Sequence, residues 1–323
     1  MSALEVDGIE LESVPCDLCG STERRELYRK PDVKTWATEF EFPVVECLRC
    51  GLVWVDPRPT QAAMARFYRE GYHDGRASER HLRRYALQLG YLPPARPGAR
   101  WLDVGCARGD FLSYALARCP GIQAHGVDAF SDGVVDARIR FAKASLLERG
   151  FPAASFDLVT AWAVFEHLHA PDRHFAEIAR ILAPGGSFVF LVTNSDSLYG
   201  RRAYREDIPR HTYHYSPAVL RRYAAKHGFE IARLEHDDRI FDGRGKGTFQ
   251  HGIADALGVT WRARRERRLT WPQRIALRTG KTLDRIAFAT HWEARLARSG
   301  IVVAEFVRPG GPASGTRAGA DRG

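Results

Sequence analysis

Long apolar runs are missing from this chain. The longest uninterrupted ones, Phe188 to Val192 among them, span five of 323 residues, far short of the ~18 that a membrane-crossing helix requires. The opening stretch MSALEVDGIELE carries acidic side chains and no apolar segment of the secretory kind, so no export is predicted. No self-similarity at periods of ~20–50 residues is present, which excludes a solenoid or a propeller. Lysine is scarce as well, with six against 42 arginines. What remains is ordinary: 45% hydrophobic and 27% charged residues describe a globular chain with ample material for a core. Fibrous, membrane-spanning and fully disordered classes fall away, and a cytoplasmic enzyme or regulator is expected.

Cysteine is also sparse, but its placement is informative. Of six, four form two short pairs, Cys16-Asp17-Leu18-Cys19-Gly20 and Cys47-Leu48-Arg49-Cys50-Gly51, while Cys106 and Cys119 stand alone. Paired knuckles at this spacing point to one tetrahedral Zn2+ site with Cys16, Cys19, Cys47 and Cys50 as ligands. Each knuckle closes on a glycine, which suits a left-handed turn around a metal. A redox-active pair or a chance pairing is the alternative.

The net charge of +9 is concentrated. Between Trp261 and Arg298 eleven Arg/Lys face three Asp/Glu, a local excess of 11 − 3 = +8. Basicity is therefore a property of one segment and not the footprint of a nucleic-acid-coating protein.

The pattern along the chain divides it. Residues 1–59 hold the knuckles and strand-like pieces, a zinc-binding module. Residues 60–97 read as a helical linker, with a helix capped by Thr60 and another over Ser78–Leu89. Strand patterns then alternate with helices: strands at Arg100–Val104, Ala124–Val127, Phe156–Thr160, Ser187–Val192, Phe229–Leu234 and Ile301–Val307, helices at Asp110–Arg118, Asp132–Phe141, Asp172–Leu182 and Pro217–His227. A further strand is expected around Leu146 and Leu147. Such alternation predicts an α/β fold, a doubly wound, mostly parallel sheet of Rossmann-like type over residues 98–238 and 300–308. Residues 239–299 read as a basic helical insert forming a cap, opened by a glycine-rich loop at 242–247 and containing a helix from Pro272. Residues 309–323 read as a disordered tail.

The sharpest motif is Trp101-Leu102-Asp103-Val104-Gly105-Cys106-Ala107-Arg108-Gly109-Asp110. An apolar strand runs into a small-residue turn that opens a helix, so a ligand can approach the backbone and the helix N–H groups. Asp128 ends the next strand, placed to accept hydrogen bonds from ribose hydroxyls. A dinucleotide is disfavoured, because Asp103 would repel a pyrophosphate and the glycine spacing differs from G-x-G-x-x-G. Cys106, in this loop, is expected to be a packing residue.

Asp103-Val104-Gly105-x-Ala107-x-Gly109 resembles motif I of the class I S-adenosylmethionine-dependent methyltransferases. Phe156-Asp157-Leu158-Val159, Glu166-His167-Leu168 and Leu182-Ala183-Pro184-Gly185-Gly186 resemble that family's later landmarks, in order. The four-cysteine module, Asn194-x-Asp196-Ser197-Leu198 and the segment Asp207-Ile208-Pro209-Arg210-His211-Thr212-Tyr213-His214-Tyr215-Ser216-Pro217 are similar to its zinc-ribbon-bearing bacterial branch. The resemblance implies that Asp128 binds ribose, that Asp103 and Gly105 hold the amino-acid end of S-adenosyl-L-methionine, and that Leu146 and Trp162 flank adenine. Ala107 stands where the family usually has glycine, and a methyl there is expected to be tolerated if φ stays negative.

Methyl transfer to oxygen or carbon calls for a base near neutrality, and His167, His211 and His214 are the candidates. For His167 the alternative is lining the cofactor; for the pair it is packing beside the Ser216 cap, with His211 the preferred base. Tyr68 and Tyr72 either close over the cofactor or pack the linker. The expected acceptor is a small molecule: a saccharide, a lipid-linked glycan or a natural-product intermediate. The basic insert either covers the acceptor pocket and attracts an anion (a phosphorylated or nucleotide-linked sugar, or an anionic membrane surface) or is a solvated arginine-rich face. An RNA methyltransferase is the weaker alternative, because Ala161-Trp162-Ala163-Val164-Phe165-Glu166-His167 holds no base-methylation motif. A catalytically inactive zinc-ribbon scaffold is the third reading.

Overall fold

The computed structural model describes residues 4–68, 78–198, 207–237, 239–241 and 247–310. The glycine-rich loop at 242–246, Tyr72 and the tail beyond 310 lie outside the described residues. The core is a sheet of seven strands: β7 (Arg100–Val104), β8 (Gln123–Asp128), β9 (Arg140–Lys143), β10 (Phe156–Trp162), β11 (Leu182–Thr193), β13 (Glu230–His236) and β14 (Ile301–Val307). Their order is β13-β14-β11-β10-β7-β8-β9. Five run parallel from β9 to β11, and only β14 runs against its neighbours. Strands covered on both faces by helices become continuously apolar; accordingly Phe188 to Val192 is wholly buried. Strand order reverses between β7 and β10, so the crevice for a ligand opens at their carboxyl ends.

Helices α2 (Asp110–Leu116), α4 (Pro171–Ile181) and α5 (Pro217–Lys226) follow their patterns. Two expectations do not hold. Residues 132–139 form no helix, and the strand expected near Leu146 is instead β9, just upstream, with Leu146 opening the short helix α3 (Leu146–Arg149). The cause is length. Only residues 129–139 link the end of β8 to the start of its parallel neighbour β9, fewer than the dozen or so that a helical crossover needs. The link is held as turns instead: Asp136 accepts from the Ser113 hydroxyl at 3.0 Å and pairs with Arg138 at 2.6 Å.

The N-terminal residues build β1 (Leu4–Val6), β2 (Ile9–Glu12), β3 (Arg24–Pro31), β4 (Glu41–Cys47), β5 (Val53–Val55) and β6 (Arg58–Pro59). They do not stand apart. A two-residue strand from beyond β11, β12 (Tyr213–His214), pairs with β5 and closes the sheet β12-β5-β4-β3. Cys16, Cys47, Leu52 and Trp54 share one apolar cluster with Phe165, Phe190, Tyr215 and Tyr223 of the larger domain. The Tyr223 hydroxyl and the Asp172 N–H both donate to Asp17 at 2.8 Å, and Arg58 donates to the Tyr213 hydroxyl at 3.0 Å and the His169 carbonyl at 2.9 Å. Helix α1 (Glu79–Gly90) precedes β7.

The insert leaves after β13 and returns into β14. His236 pairs with Val302 and Thr193 with Ile301, so it springs from the carboxyl edge. It contains α6 (Thr248–Ala256), α7 (Trp261–Arg265), α8 (Trp271–Ala287) and α9 (Trp292–Arg295). Thr270 caps α8 in a reciprocal box with Gln273, the local reason for the start read from Pro272.

Candidate active site and metal centre

The four cysteines converge. Cys16 and Cys50 sulfurs lie 3.4 Å apart, Cys19 and Cys47 sulfurs 3.6 Å, and all four lie within 4.8 Å of one another. A tetrahedron with metal–sulfur bonds of ~2.3 Å has edges of ~3.8 Å, so the cage fits zinc. The two knuckles are built alike: Gly20 N–H donates to the Cys16 carbonyl at 2.8 Å, Gly51 N–H to the Cys47 carbonyl at 3.0 Å, and both glycines are left-handed at φ 71° and 77°. Burial pushes the Cys16 and Cys50 thiols up, Cys50 to about 11; a bound cation removes that cost.

At the sheet's carboxyl edge the motif Gly105–Gly109 forms the turn between β7 and α2. Gly105 has φ 66°, and a Cβ there would meet Val164 Cγ2 at 2.7 Å, so only glycine fits. Ala107 does not meet the condition set for it: its φ is +47°. Such a conformation costs an alanine about 1–2 kcal/mol. The Ala107 N–H donates to Asp128 Oδ2 at 2.9 Å, which holds the turn in that shape. Asp128 also accepts from the Phe130 and Ser131 N–H groups at 2.8 and 2.9 Å, so one carboxylate organises the turns after both β7 and β8. Asp103 is buried, accepts from the Thr160 hydroxyl at 2.6 Å, and has its carboxyl pushed up to about 7 by burial and by the charge of Asp128. Cys106 is a buried thiol pushed up by burial, as a packing residue should be.

Trp162, at the end of β10, is buried edge-on against Phe111 with ring centroids 5.4 Å apart. Leu146 opens α3 and joins the other apolar cluster, with Val104 and Val127. The two expected adenine neighbours therefore pack into separate clusters.

The three histidines lie close together. His167 and His211 rings meet edge-on with centroids 4.6 Å apart, and His211 and His214 are 6.4 Å apart. His167 Nδ1 stands 3.1 Å from the Arg210 carbonyl and 3.2 Å from the Tyr68 hydroxyl. Because a carbonyl only accepts, the hydrogen bonding assigns the proton to Nδ1 and the lone pair to Nε2. His211 is buried, with Nδ1 lacking a hydrogen-bond partner among the described residues; burial drives it well below the ordinary imidazole value, against the opposing charge of Asp207. Burial lowers His214 to about 4. His214 sits in β12 and lines a groove with Leu27, Tyr28, Glu46, Val53 and Asp196, on the side of the N-terminal sheet.

Sequence reasoning assigned no role to Glu166, although its motif was visible. The residue is buried, burial pushes its carboxyl up to about 8, and Oε2 has no hydrogen-bond partner among the described residues. Its ligand atom lies within 4.8 Å of those of His167 and His211. Phe130, exposed and stacked on Tyr68 at 6.5 Å, was also missed. Nothing in its local sequence signals a role; its position one turn past Asp128 does.

A family model described as a methyltransferase domain matches residues 73–234. The chain belongs to the methyltransferase-domain family. Among curated relatives, this methyltransferase domain is 32% identical over 131 residues to the 27-O-demethylrifamycin SV methyltransferase of Amycolatopsis mediterranei, covering 36% of this chain and 47% of the relative. It is 28% identical over 158 residues to the ubiquinone biosynthesis O-methyltransferase of Methylococcus capsulatus, covering 43% and 66%. It is 29% identical over 127 residues to the sterol 24-C-methyltransferase ERG6B of Gibberella zeae, covering 35% and 33%. The chain thus spans between 33% and 66% of these relatives' lengths. One chain of the solved complex between the Haloferax volcanii Trm112 methyltransferase activator and a methyltransferase shares the fold, with a TM-score of 0.51 at 21% identity over 74% of this chain and 95% of that one. Among the described residues no helix is long and apolar enough to cross a membrane.

Proposed function

We propose that the protein transfers the methyl group of S-adenosyl-L-methionine to an oxygen or carbon nucleophile of a small molecule: a saccharide, a lipid-linked glycan or a natural-product intermediate. The observation that carries this reading is the pair of buried carboxylates, Asp103 and Asp128, at the ends of adjacent strands on either side of the Gly105–Gly109 turn. The charge of Asp128 adds to the cost of ionising buried Asp103, and a cationic ligand relieves that cost. The relatives named as O- and C-methyltransferases support the reaction class without selecting between the two atoms.

When bound, S-adenosylmethionine supplies an electrophilic methyl group on a sulfonium that departs as a neutral thioether. The protein's part is placement and proton management. Asp103 faces the amino-acid end, Asp128 the ribose, and Leu146 and Trp162 the adenine. Tyr68 and Phe130 shield the crevice from water. His211 takes the acceptor's proton on an imidazole nitrogen as the nucleophile attacks, while His167 orients the acceptor. His214 supports the segment from the N-terminal sheet. Burial keeps this imidazole unprotonated at the cost of basicity, and the charge of Asp207 opposes that loss by favouring the imidazolium as it forms. Cys16, Cys19, Cys47 and Cys50 would hold a structural Zn2+, which would stiffen the sheet that carries β12. The acceptor is small, and an anionic one such as a phosphorylated or nucleotide-linked sugar fits the basic insert.

Calorimetry tests the reading. Wild-type protein is expected to bind S-adenosylmethionine, and Asp128→Ala to lose about 1.5–3 kcal/mol of that affinity, as for hydrogen bonds to a charged group. A folded wild-type protein that binds no cofactor would leave the inactive scaffold as the better reading.

A further inference from the structure

The insert's longest helix, α8, has three faces, and among the described residues only one is buried. At 3.6 residues per turn, Leu277, Gly280 and Asp284 form a buried stripe. Gly280 lets α6 approach so closely that a Cβ would meet Gln250 Cα at 2.8 Å. Asp284 caps the start of α6, accepting from the Phe249 and Gln250 N–H groups at 2.8 and 3.2 Å. These contacts fix which side of α8 faces outward. There Trp271, Ile275 and Ile286 are 73%, 52% and 69% exposed, and with Thr282 they occupy a sector of about 60°. Immediately beside it runs a stripe of exposed cations, Arg274, Arg278, Lys281 and Arg285. None of the four forms an ion pair with a carboxylate among the described residues. An exposed apolar stripe of this kind on a monomer's surface marks an interaction site.

We propose that this face of α8 docks on an anionic lipid bilayer, lying in the plane of the interface. The apolar stripe enters the acyl boundary, with Trp271 at its end in the position aromatic rings favour, and the adjacent cations meet lipid phosphates. Charge decides against a second copy of the chain. A two-fold pairing through this helix sets one row of four cations against an identical row, with no acidic residue on the exposed side to offset it. A nucleic acid would satisfy the cations but leave Ile275 and Ile286 in water. The insert begins and ends at the carboxyl edge of the sheet, the edge that holds the Gly105–Gly109 turn. Docking through α8 thus tethers that edge to the membrane through both ends of the insert. The proposal rests on the surface of α8 and stands or falls independently of the methyl-transfer reading.

Co-sedimentation of the full-length protein with phosphatidylcholine vesicles, with and without phosphatidylglycerol, tests it. Binding is expected only with phosphatidylglycerol and should weaken as salt is added. Arg278→Glu with Lys281→Glu, and separately Ile275→Ser with Ile286→Ser, are each expected to weaken it roughly tenfold or more. All four positions are exposed, and unchanged circular dichroism melting verifies that the variants fold. No binding to phosphatidylglycerol vesicles at low salt overturns the proposal. So does binding that survives the isoleucine changes, which would be charge alone. A concentration-dependent dimer in sedimentation velocity that Ile286→Ser abolishes gives the face to a second copy and overturns it as well.

Discussion

The Thr160 hydroxyl donates a 2.6 Å hydrogen bond to Asp103 Oδ1 across the seam between β7 and β10, where the two residues are register partners. Strand order reverses at this seam, and the bond aims a buried carboxylate at the crevice. Burial, then the charge of Asp128, pushes that carboxyl up to about 7, while Thr160 pulls the other way.

A pH dependence follows. In the empty protein Asp103 holds its proton more tightly than in the unfolded chain, so its contribution favours the folded state in acid and is lost as pH rises from the free carboxyl range through about 7. Glu166, pushed up to about 8, acts in the same direction. On the proposed reading, the cationic cofactor binds to the ionised Asp103. Cofactor affinity should therefore rise with pH up to about 7 and level off above it, while the melting temperature of the empty protein falls over the same window. Calorimetry and thermal melting on both sides of neutrality measure the two trends. Asp103→Asn should flatten the first trend, and Thr160→Val should move its midpoint upward.

The cofactor turn offers a strain test. Ala107 sits at φ +47°, so Ala107→Gly should remove a cost of about 1–2 kcal/mol, part of which returns as chain entropy of the unfolded state. A modest rise in melting temperature with unchanged or tighter cofactor binding is expected. Gly105→Ala should do the opposite, because its methyl collides with Val164. A lower melting temperature for Ala107→Gly would show that the turn gains from its alanine.

These residues also show how far the sequence could be read. The strands of the main sheet, the Asp103 turn and the cysteine knuckles are local patterns, set by a few adjacent residues and a repeat distance. The stretch 132–141 misled because Val134, Val135 and Ile139 have helical spacing, while the limit on it, the distance back to a parallel neighbour, belongs to the sheet. The positive φ of Ala107 depends on a carboxylate 21 residues away. Strand β12 has two residues and exists because β5 is there to pair with it, so no periodicity could announce it. The burial of Glu166 and the ring contact of His167 with His211 likewise arise from segments distant in sequence.

Zinc removal is expected to reach the histidines. Elemental analysis should find one zinc per chain, and structural zinc supplies roughly 10–16 kcal/mol of apparent binding free energy in such modules. From the knuckles alone, chelation should unfold residues 1–59 and spare much of the larger domain. The pairing of β5 with β12 and the shared cluster around Trp54 and Tyr215 add a consequence: the His211–His214 segment loses its support. Chelated protein should keep most of its cofactor affinity but lose methyl transfer, and zinc should restore it. Full transfer by metal-free protein would show that the cage is not needed to hold that segment.

The last test separates the histidines. His211 lies edge-on to His167 in a buried cluster with Glu166, whereas His214 belongs to β12 and borders the N-terminal sheet. If His211 is the base, His211→Ala should lower the single-turnover rate by about 10²–10⁴ with cofactor affinity nearly intact. Burial has already lowered its basicity, so the rate of the wild type should stay flat with pH until well into acid. His214→Ala should instead lower the melting temperature, because it removes a buried side chain from a two-residue strand, and reduce the rate only in proportion to the folded fraction. Measuring binding, melting and single-turnover transfer separately keeps these effects apart. Should both variants transfer methyl at the wild-type rate, the base is not in this segment, and His167, with its lone pair on Nε2, becomes the residue to replace next.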